Sequence, residues 1–182
     1  MLGRILKGRR AGEEHLAWNL PQLRGPETVA LTSRDFGDGG DIPPEHHARH
    51  VGGRDVSPHL AWTAVPAGTA QLLLVVEDVD IPLGRPAVHC LALVDPAVGH
   101  LDPGALGRRH PGPGVRVLRS TVGRGYHGPG PIKGHGPHRY VFQLFALGSA
   151  LPGAPDARPR AVLSAVDAPV VGRGRLTGVV ER

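Results

Sequence analysis

A loop made mostly of glycine, proline and histidine, residues 126–140, runs straight into an apolar segment, residues 141–147. The segment is apolar at nearly every position, which is typical of a strand that is buried on both faces. In the loop, glycines let the backbone approach a ligand closely because they carry no Cβ, and prolines restrict its movement. The N–H groups that remain can converge on one anion, and His138 supplies a further donor at the start of the strand. The alternative interpretation is a turn whose histidines face solvent.

Two more apolar runs, residues 72–78 and 87–94, predict a second pair of short buried strands. Asp78 closes the first run, Asp80 follows two positions later, and His89 lies near the start of the second run. If the two strands are neighbours, these three side chains meet at one end of a sheet. Carboxylates and imidazoles gathered at one place are able to bind a polar ligand or to move protons.

Three motifs, in this order along the chain, resemble those of the phosphatidylethanolamine-binding protein family, and in particular its bacterial Raf-kinase-inhibitor-like (YbhB/YbcL-type) branch. Together they cover most of residues 31–147. Any one of them alone is a weak signal, whereas three in the right order are a specific one. The motifs are Ser-Pro-His-Leu-Ala-Trp at 57–62 with Val-Pro-Ala-Gly-Thr at 65–69, Asp-Val-Asp-Ile-Pro at 78–82 with His89 downstream, and the loop at 126–140.

The resemblance implies a mainly β protein, a β-sandwich of two antiparallel-rich sheets with one or two short peripheral helices. It also implies a shallow cavity at one end of the sandwich that holds an anion such as phosphate. Asp78 is interpreted as an acceptor for a histidine N–H or a ligand hydroxyl, and Asp80 as a cap of the turn or a contact for the amino end of a head group. No catalytic residue, metal ligand or cofactor is assigned. The ligand-binding positions carried over from the family are Asp78, Asp80, His89, Tyr126, Gly128, Gly130 and His138.

The chain departs from the family pattern at several positions. Val79 stands where the family usually has proline, so the loop after the first strand is expected to be looser. Residues 51–53 and 119–121 replace, respectively, a Cys-Asp-Gly sequence and an Asn-rich turn of relatives. Animal members end in a helix that helps to close the pocket. Here Val179 and Val180 stand without an aromatic residue beside them, so a more open pocket is expected.

A length of 182 residues suits one domain with a sizeable core. We place that domain at residues 25–182, after an N-terminal extension of residues 1–24. Residues 2–10 have only a small apolar face flanked by basic residues, so a frayed basic extension or a dimer arm is preferred to a membrane-surface anchor there. Leu16, Trp18 and Leu20 are expected to pack on the domain. Further elements are predicted as strands at 29–36, 57–62, 115–118 and 173–180, a linker at 152–159 and a short helix at 160–166.

The net charge of +5 comes mostly from arginine, and Lys7 and Lys133 are the only lysines. Basic residues do not form a run with interleaved aromatics, so no nucleic-acid partner is expected. No secretory signal is recognised, and no apolar run reaches the ~20 residues of a membrane span, so a cytoplasmic protein is predicted. The single cysteine, Cys90, cannot form an internal disulfide. A buried packing role is favoured for it over that of a nucleophile paired with His89.

Three functions remain open on these residues. The preferred one is a binding module for a phosphorylated or otherwise anionic small ligand, with regulation of a protein partner as an extension of it. The second is a small-molecule enzyme, a hydrolase or cyclase, in which the same Asp and His side chains perform acid–base chemistry. The third is a metal site built from His127, His135, His138 and Asp78. A homodimer is left open, with the N-terminal extension as its contact.

Overall fold

Two β-sheets and a few short helices make up the computed structural model, which describes residues 2–152 and 156–182. Single turns of 3-10 helix occur at Glu13–His15, Ala17–Asn19, Pro21–Leu23, Pro44–His46 and Arg49–Val51. The α-helices are α1 (Leu2–Leu6) and α2 (Pro159–Ser164). The strands are β1 (Leu31–Thr32), β2 (Gly40–Asp41), β3 (Leu60–Trp62), β4 (Gln71–Asp78), β5 (Ala87–Val94), β6 (His100–Leu101), β7 (Val115–Val117), β8 (His138–Leu147) and β9 (Val170–Val180).

The larger sheet has six strands in the order β2-β9-β8-β4-β5-β7, and the smaller sheet has three in the order β1-β3-β6. Neighbouring strands are antiparallel, except that β2 runs parallel to β9. The predicted mainly β sandwich of two antiparallel-rich sheets with short peripheral helices is therefore confirmed. The long strands β4, β5 and β8 form the middle of the larger sheet, and their ends position the candidate site.

The larger sheet is buried on both faces, as the apolar character of its central strands predicts. Along β4 the side chains alternate between two cores because successive residues of a strand point to opposite faces. Leu72, Leu74 and Val76 pack between the two sheets. Leu73 and Val75 pack into a second core on the opposite face. The face of the larger sheet that carries the second core must therefore be shielded from solvent by other parts of the chain.

Residues 11–23 and α2 provide this cover. Leu16, Trp18 and Leu23 are buried in the second core together with Leu163 of α2, and the ring of Trp18 lies 5.9 Å from that of Phe145. The prediction that Leu16, Trp18 and Leu20 pack on the domain is therefore confirmed, since Leu20 also packs against this core. The placement of the domain boundary at residue 24 stays a prediction.

Buried polar side chains of the sheet hold the backbone of the same segment. Glu77 accepts hydrogen bonds through Oε2 from the Ala17 N–H at 2.7 Å and from Nε2 of Gln143 at 2.8 Å. Gln143 in turn accepts from the Trp18 N–H at 2.7 Å, and Arg173 donates to the Trp18 carbonyl at 2.7 Å. Backbone groups that the short 3-10 turns leave unpaired thus find partners inside the core.

The other predicted elements are found with altered bounds. The strand predicted at 29–36 is reduced to β1, that at 57–62 to β3 and that at 115–118 to β7. The last strand is confirmed and begins earlier, at Val170, and the short helix is confirmed as α2. The predicted linker, 152–159, includes residues 153–155, which lie outside the described residues. Neither α-helix of the described chain has the length and apolar character that a membrane crossing needs.

Candidate functional site

One end of the larger sheet borders a cavity of about 270 Å³. Asp78 ends β4, His89 lies near the start of β5, and His138 begins β8, so antiparallel pairing brings all three to the same edge of the sheet. The loop at 126–132 closes the cavity from the side and contributes Gly128 and Gly130. Five of the seven predicted ligand-binding residues therefore line one cavity.

His89 occupies an irregular position in β5. Cys90 pairs with Val76 and Val88 pairs with Glu77, so the register skips His89 and forms a bulge. Its Nδ1–H donates to the carbonyl of His127 at 2.8 Å, which leaves Nε2 available to a ligand. Burial is the main reason that the pKa of His89 lies below its ordinary value, so the ring is neutral in the empty cavity at neutral pH.

Asp78 and His138 form a buried pair at the floor of the cavity. Nδ1 of His138 lies 2.8 Å from Oδ2 of Asp78, and the second oxygen of Asp78 accepts from the Asp80 N–H at 2.9 Å. Nε2 of His138 lies 2.7 Å from Nδ1 of His135, a third buried side chain. The predicted carboxylate–histidine contact is therefore present, but both ring nitrogens of His138 are engaged within the protein, so the donor to an anion that was predicted at His138 is already used.

Asp80 does not line the cavity. Its carboxylate accepts from the backbone N–H and from Nε of Arg139, both at 2.8 Å, and pairs with Arg10 at 2.7 Å. Burial alone raises the pKa of this carboxyl, but the arginine donors more than offset burial and hold it below its ordinary value. Asp80 is thus a structural anion of the turn after β4, and the structure places it away from the ligand position expected for it.

Tyr126 is also placed away from the cavity. Its ring belongs to the core between the two sheets, and its hydroxyl donates to the His46 carbonyl at 3.2 Å. Burial raises the pKa of this hydroxyl well above its ordinary value, so it acts only as a neutral donor. Tyr126 therefore joins the 126–132 loop to the 44–46 turn.

The glycines of the loop serve close packing between two loops. A Cβ at Gly128 would lie 2.3 Å from the carbonyl carbon of His47, and one at Gly130 would lie 2.7 Å from Cε1 of His50. The Gly128 N–H is also engaged, because it donates to Oδ1 of Asp55 at 2.8 Å. The predicted cluster of free N–H groups therefore lacks the Gly128 donor, and the glycines fix the shape of the cavity wall instead.

The Gly128→Ala variant is expected to lower the free energy of unfolding by about 1–3 kcal/mol, because backbone atoms must move to accept the Cβ. Gly84→Ala is the matched control, since a Cβ there meets nothing within 4 Å. Urea unfolding of both variants and the wild type measures the difference. Equal midpoints for the two variants would show that the loops separate without cost.

Tyr140, His50 and His127 line the cavity and were not among the predicted ligand-binding residues, although His127 was named for the metal alternative. Tyr140 was identifiable, because it follows His138 by two positions in a strand and so points to the same face. Its ring lies 5.2 Å edge-on from that of His89. Burial first, and then the charge of Asp78, raise the pKa of the Tyr140 hydroxyl. The side walls therefore consist of aromatic and imidazole rings.

The exposed part of the cavity lining includes two large apolar side chains. Leu83 and Val122 line the cavity although 56% and 54% of their surfaces are exposed, and both are among the large apolar side chains most exposed to solvent. His50 and Thr121 are exposed beside them. The cavity thus has a polar floor and a partly apolar rim, a division that suits a ligand with one polar and one apolar end.

Cys90 is a buried packing residue, as predicted. Its side chain is fully buried in the core between the sheets, and burial raises the pKa of its thiol to about 12. Burial and the raised thiol pKa therefore favour packing over a nucleophile paired with His89. Within the described ranges, no group of three or more His, Cys, Asp or Glu side chains is arranged to hold a metal ion.

A two-sheet sandwich with a half-polar cavity at one end defines a β protein that binds small ligands. The chain belongs to the phosphatidylethanolamine-binding protein family, because a model of that family's sequences matches residues 32–181. The match includes every predicted site residue. The match begins at residue 32, so residues 11–23, the N-terminal part of the cover over the second core, lie outside it.

Named relatives and solved structures agree with this assignment. The protein YbhB of Escherichia coli is 37% identical over 124 residues, which is 65% of this chain and 78% of YbhB. Phomoidride biosynthesis cluster protein B of a fungal species is 32% identical over 160 residues, covering 82% of this chain and 76% of that protein. The crystal structure of Escherichia coli YbcL superposes with a TM-score of 0.78 at 27% identity, over 85% of this chain and 98% of YbcL.

Proposed function

We propose that the cavity binds a small anionic ligand, such as phosphate or a phosphorylated head group. The observation that carries this proposal is the presence of three imidazoles, those of His50, His89 and His127, around one cavity whose carboxylate is already engaged. Imidazoles become cationic donors when an anion approaches them. Among the described residues that line the cavity there is no lysine or arginine, so histidine protonation supplies the charge.

The apolar rim supports a ligand that also carries an apolar part. Leu83 and Val122 would cover that part, while the anionic end contacts His89 at the polar floor. The family's name points to a lipid head group with this division. A cavity of about 270 Å³ holds a head group and leaves long acyl chains outside.

Anion binding is expected to weaken as pH rises from 5.5 to 8. Because burial lowers the pKa of His89, the ring is neutral at the upper end of this range, and the anion then meets an Nε2 that carries no proton. Calorimetric titration with inorganic phosphate measures the effect. Sulfate is the matched ligand, since its charge stays constant over the range while that of phosphate changes.

The His89→Ala variant is expected to bind phosphate about tenfold or more weakly at pH 5.5, because a hydrogen bond to a charged group is lost. His110→Ala is the control, since His110 is exposed and does not line this cavity. Wild-type affinity in His89→Ala, or no heat with millimolar phosphate in the wild type, would contradict the proposal.

An enzyme remains the second candidate, and one observation favours it. Nδ1 of His89 is held by a carbonyl, which leaves Nε2 as a positioned base at the polar floor of the cavity. A turnover screen with small phosphorylated and ester substrates, in which His89→Ala abolishes any activity found, would favour a hydrolase or cyclase. A cytoplasmic location, a regulated protein partner and a homodimer stay predictions that accompany the binding proposal.

A further inference from the structure

Residues 2–12, here called the arm, lie against residues 133–137, the part of the loop that directly precedes β8. The Gly12 N–H donates to the Val79 carbonyl at 3.0 Å, and Arg10 donates to the Pro137 carbonyl at 3.0 Å. A Cβ at Gly3 would lie 2.2 Å from the carbonyl oxygen of Lys133, so α1 contacts this loop through its backbone. The arm lies outside the residues that match the family.

The arm also supplies the last acceptors of a buried hydrogen-bond chain. Nε2 of His135 lies 2.9 Å from the Leu6 carbonyl oxygen and 3.1 Å from that of Arg9. From His135 the chain continues to His138 at 2.7 Å and to Asp78 at 2.8 Å. Asp78, His138 and His135 each expose 3% of the residue surface or less, so solvent does not take the place of these partners.

The number of protons in this hydrogen-bond chain follows from its terminal acceptors, a carboxylate and the two carbonyl oxygens. A carbonyl oxygen only accepts, so Nε2 of His135 carries a proton. Each of the two bonds that follow, His135 to His138 and His138 to Asp78, must also hold one proton. Three bonds therefore contain three protons, and the trio of Asp78, His138 and His135 has zero net charge wherever the middle protons reside. The carboxylate at the cavity floor is neutralised as long as the chain is complete.

Loss of the arm would permit another arrangement. Without the carbonyls of Leu6 and Arg9, His135 can carry its single proton on Nδ1 and donate it to Nε2 of His138. His138 then keeps one proton, on Nδ1, and Asp78 remains an anion, so the trio carries one negative charge. A negative charge at the floor of a cavity opposes the binding of an anion.

We propose that the docked arm sets the charge of the cavity floor through His135, and that arm docking and anion binding strengthen each other. His135 is then a positioning residue, which contacts no ligand itself. The effect on ligand affinity rests on the proposed anion binding, whereas the effect on the number of protons in the hydrogen-bond chain does not. Because coupling between two sites is reciprocal, phosphate should also hold the arm in place.

A pair of glycine variants tests the proposal in the full-length protein. Gly3→Ala places a Cβ against backbone atoms of residues 133–135 and displaces the arm, whereas at Gly8 a Cβ meets nothing within 4 Å. In Gly3→Ala we expect phosphate affinity to fall about fivefold or more, with Gly8→Ala equal to the wild type. Nitrogen-15 spectra of the His135 ring should show Nε2 as an N–H nitrogen in the wild type and as an unprotonated nitrogen in Gly3→Ala.

The two measurements separate the failures. If the wild type binds no phosphate but the His135 spectrum changes as expected in Gly3→Ala, the relay stands and the proposed ligand is wrong. An unchanged His135 spectrum in Gly3→Ala overturns the relay. A changed spectrum with unchanged phosphate affinity overturns the coupling between the arm and the anion. His135→Leu ends the hydrogen-bond chain at His138 directly, and it should lower phosphate affinity as Gly3→Ala does.

Discussion

Replacing Asp78 by alanine is expected to lower the free energy of unfolding by about 3–5 kcal/mol, the usual cost of removing one partner from a buried pair. Asp78 and His138 expose 3% and 1% of their surfaces, so water does not replace the lost carboxylate. Alanine also removes the acceptor of the Asp80 N–H. Two donors are then left buried without a partner.

Urea unfolding at neutral pH measures this loss, and two variants serve as its controls. Asp78→Asn keeps an acceptor for the Asp80 N–H and a donor for a neutral His138, so it should lose much less stability. Asp102→Ala removes an exposed carboxylate that pairs with Arg34 and should change the free energy of unfolding by about 1 kcal/mol or less. A loss of stability in Asp78→Ala no larger than that in Asp102→Ala would show that the buried hydrogen bonds of Asp78 do not stabilise the fold.

Replacing Arg160 by alanine is expected to destabilise the fold by about 3–5 kcal/mol at pH 8, because it leaves Glu77 as an unpaired buried charge. Glu77 is fully buried, and Arg160 of α2 is its cationic partner. Burial raises the pKa of Glu77 above its ordinary 4.5, and the charge of Arg160 limits the rise. Removing Arg160 therefore raises the pKa of Glu77 further.

The sign of the pH dependence follows from this direction. A carboxyl with a raised pKa binds its proton more tightly in the folded state, so the fold loses stability as pH rises from 4.5 through the folded pKa. The deficit of Arg160→Ala relative to the wild type should accordingly shrink as pH falls toward 4.5. Urea unfolding of both proteins at pH 8 and pH 5 measures it, with Arg158→Ala as a control in the same region. A deficit that is equal at both pH values would show that Glu77 is not the group responsible.

The candidate cavity could be predicted because its residues lie in contiguous motifs at strand ends. Asp78, His89 and His138 are each adjacent to an apolar run, and antiparallel pairing of such runs necessarily brings their ends together. Asp80 was assigned to the same site because it belongs to the Asp-Val-Asp-Ile-Pro motif that resembles the family's. The strand ends at Asp78, however, and the turn directs Asp80 toward Arg10 and Arg139.

The sequence predicts that Leu16 and Trp18 pack on the domain, but local patterns do not predict how this segment is held there. Trp18 and Leu16 show neither a helical nor a strand period, since they lie in single 3-10 turns that follow the surface of the sheet. Their polar partners, Glu77, Gln143 and Arg173, are spread over three strands. Only the tertiary structure relates a buried Glu or Gln in an apolar strand to backbone groups so far away in sequence.

These long sequence separations impose an order on folding during translation. Trp18 precedes Gln143 by 125 residues and Arg173 by 155 residues, yet it bonds to both. At a ribosomal rate of about 5–20 residues per second, the backbone N–H and carbonyl of Trp18 wait roughly 8–30 seconds before Arg173 is translated. Residues 11–23 are therefore synthesised long before their partners, and they cannot complete their contacts with the larger sheet until β9 has been translated.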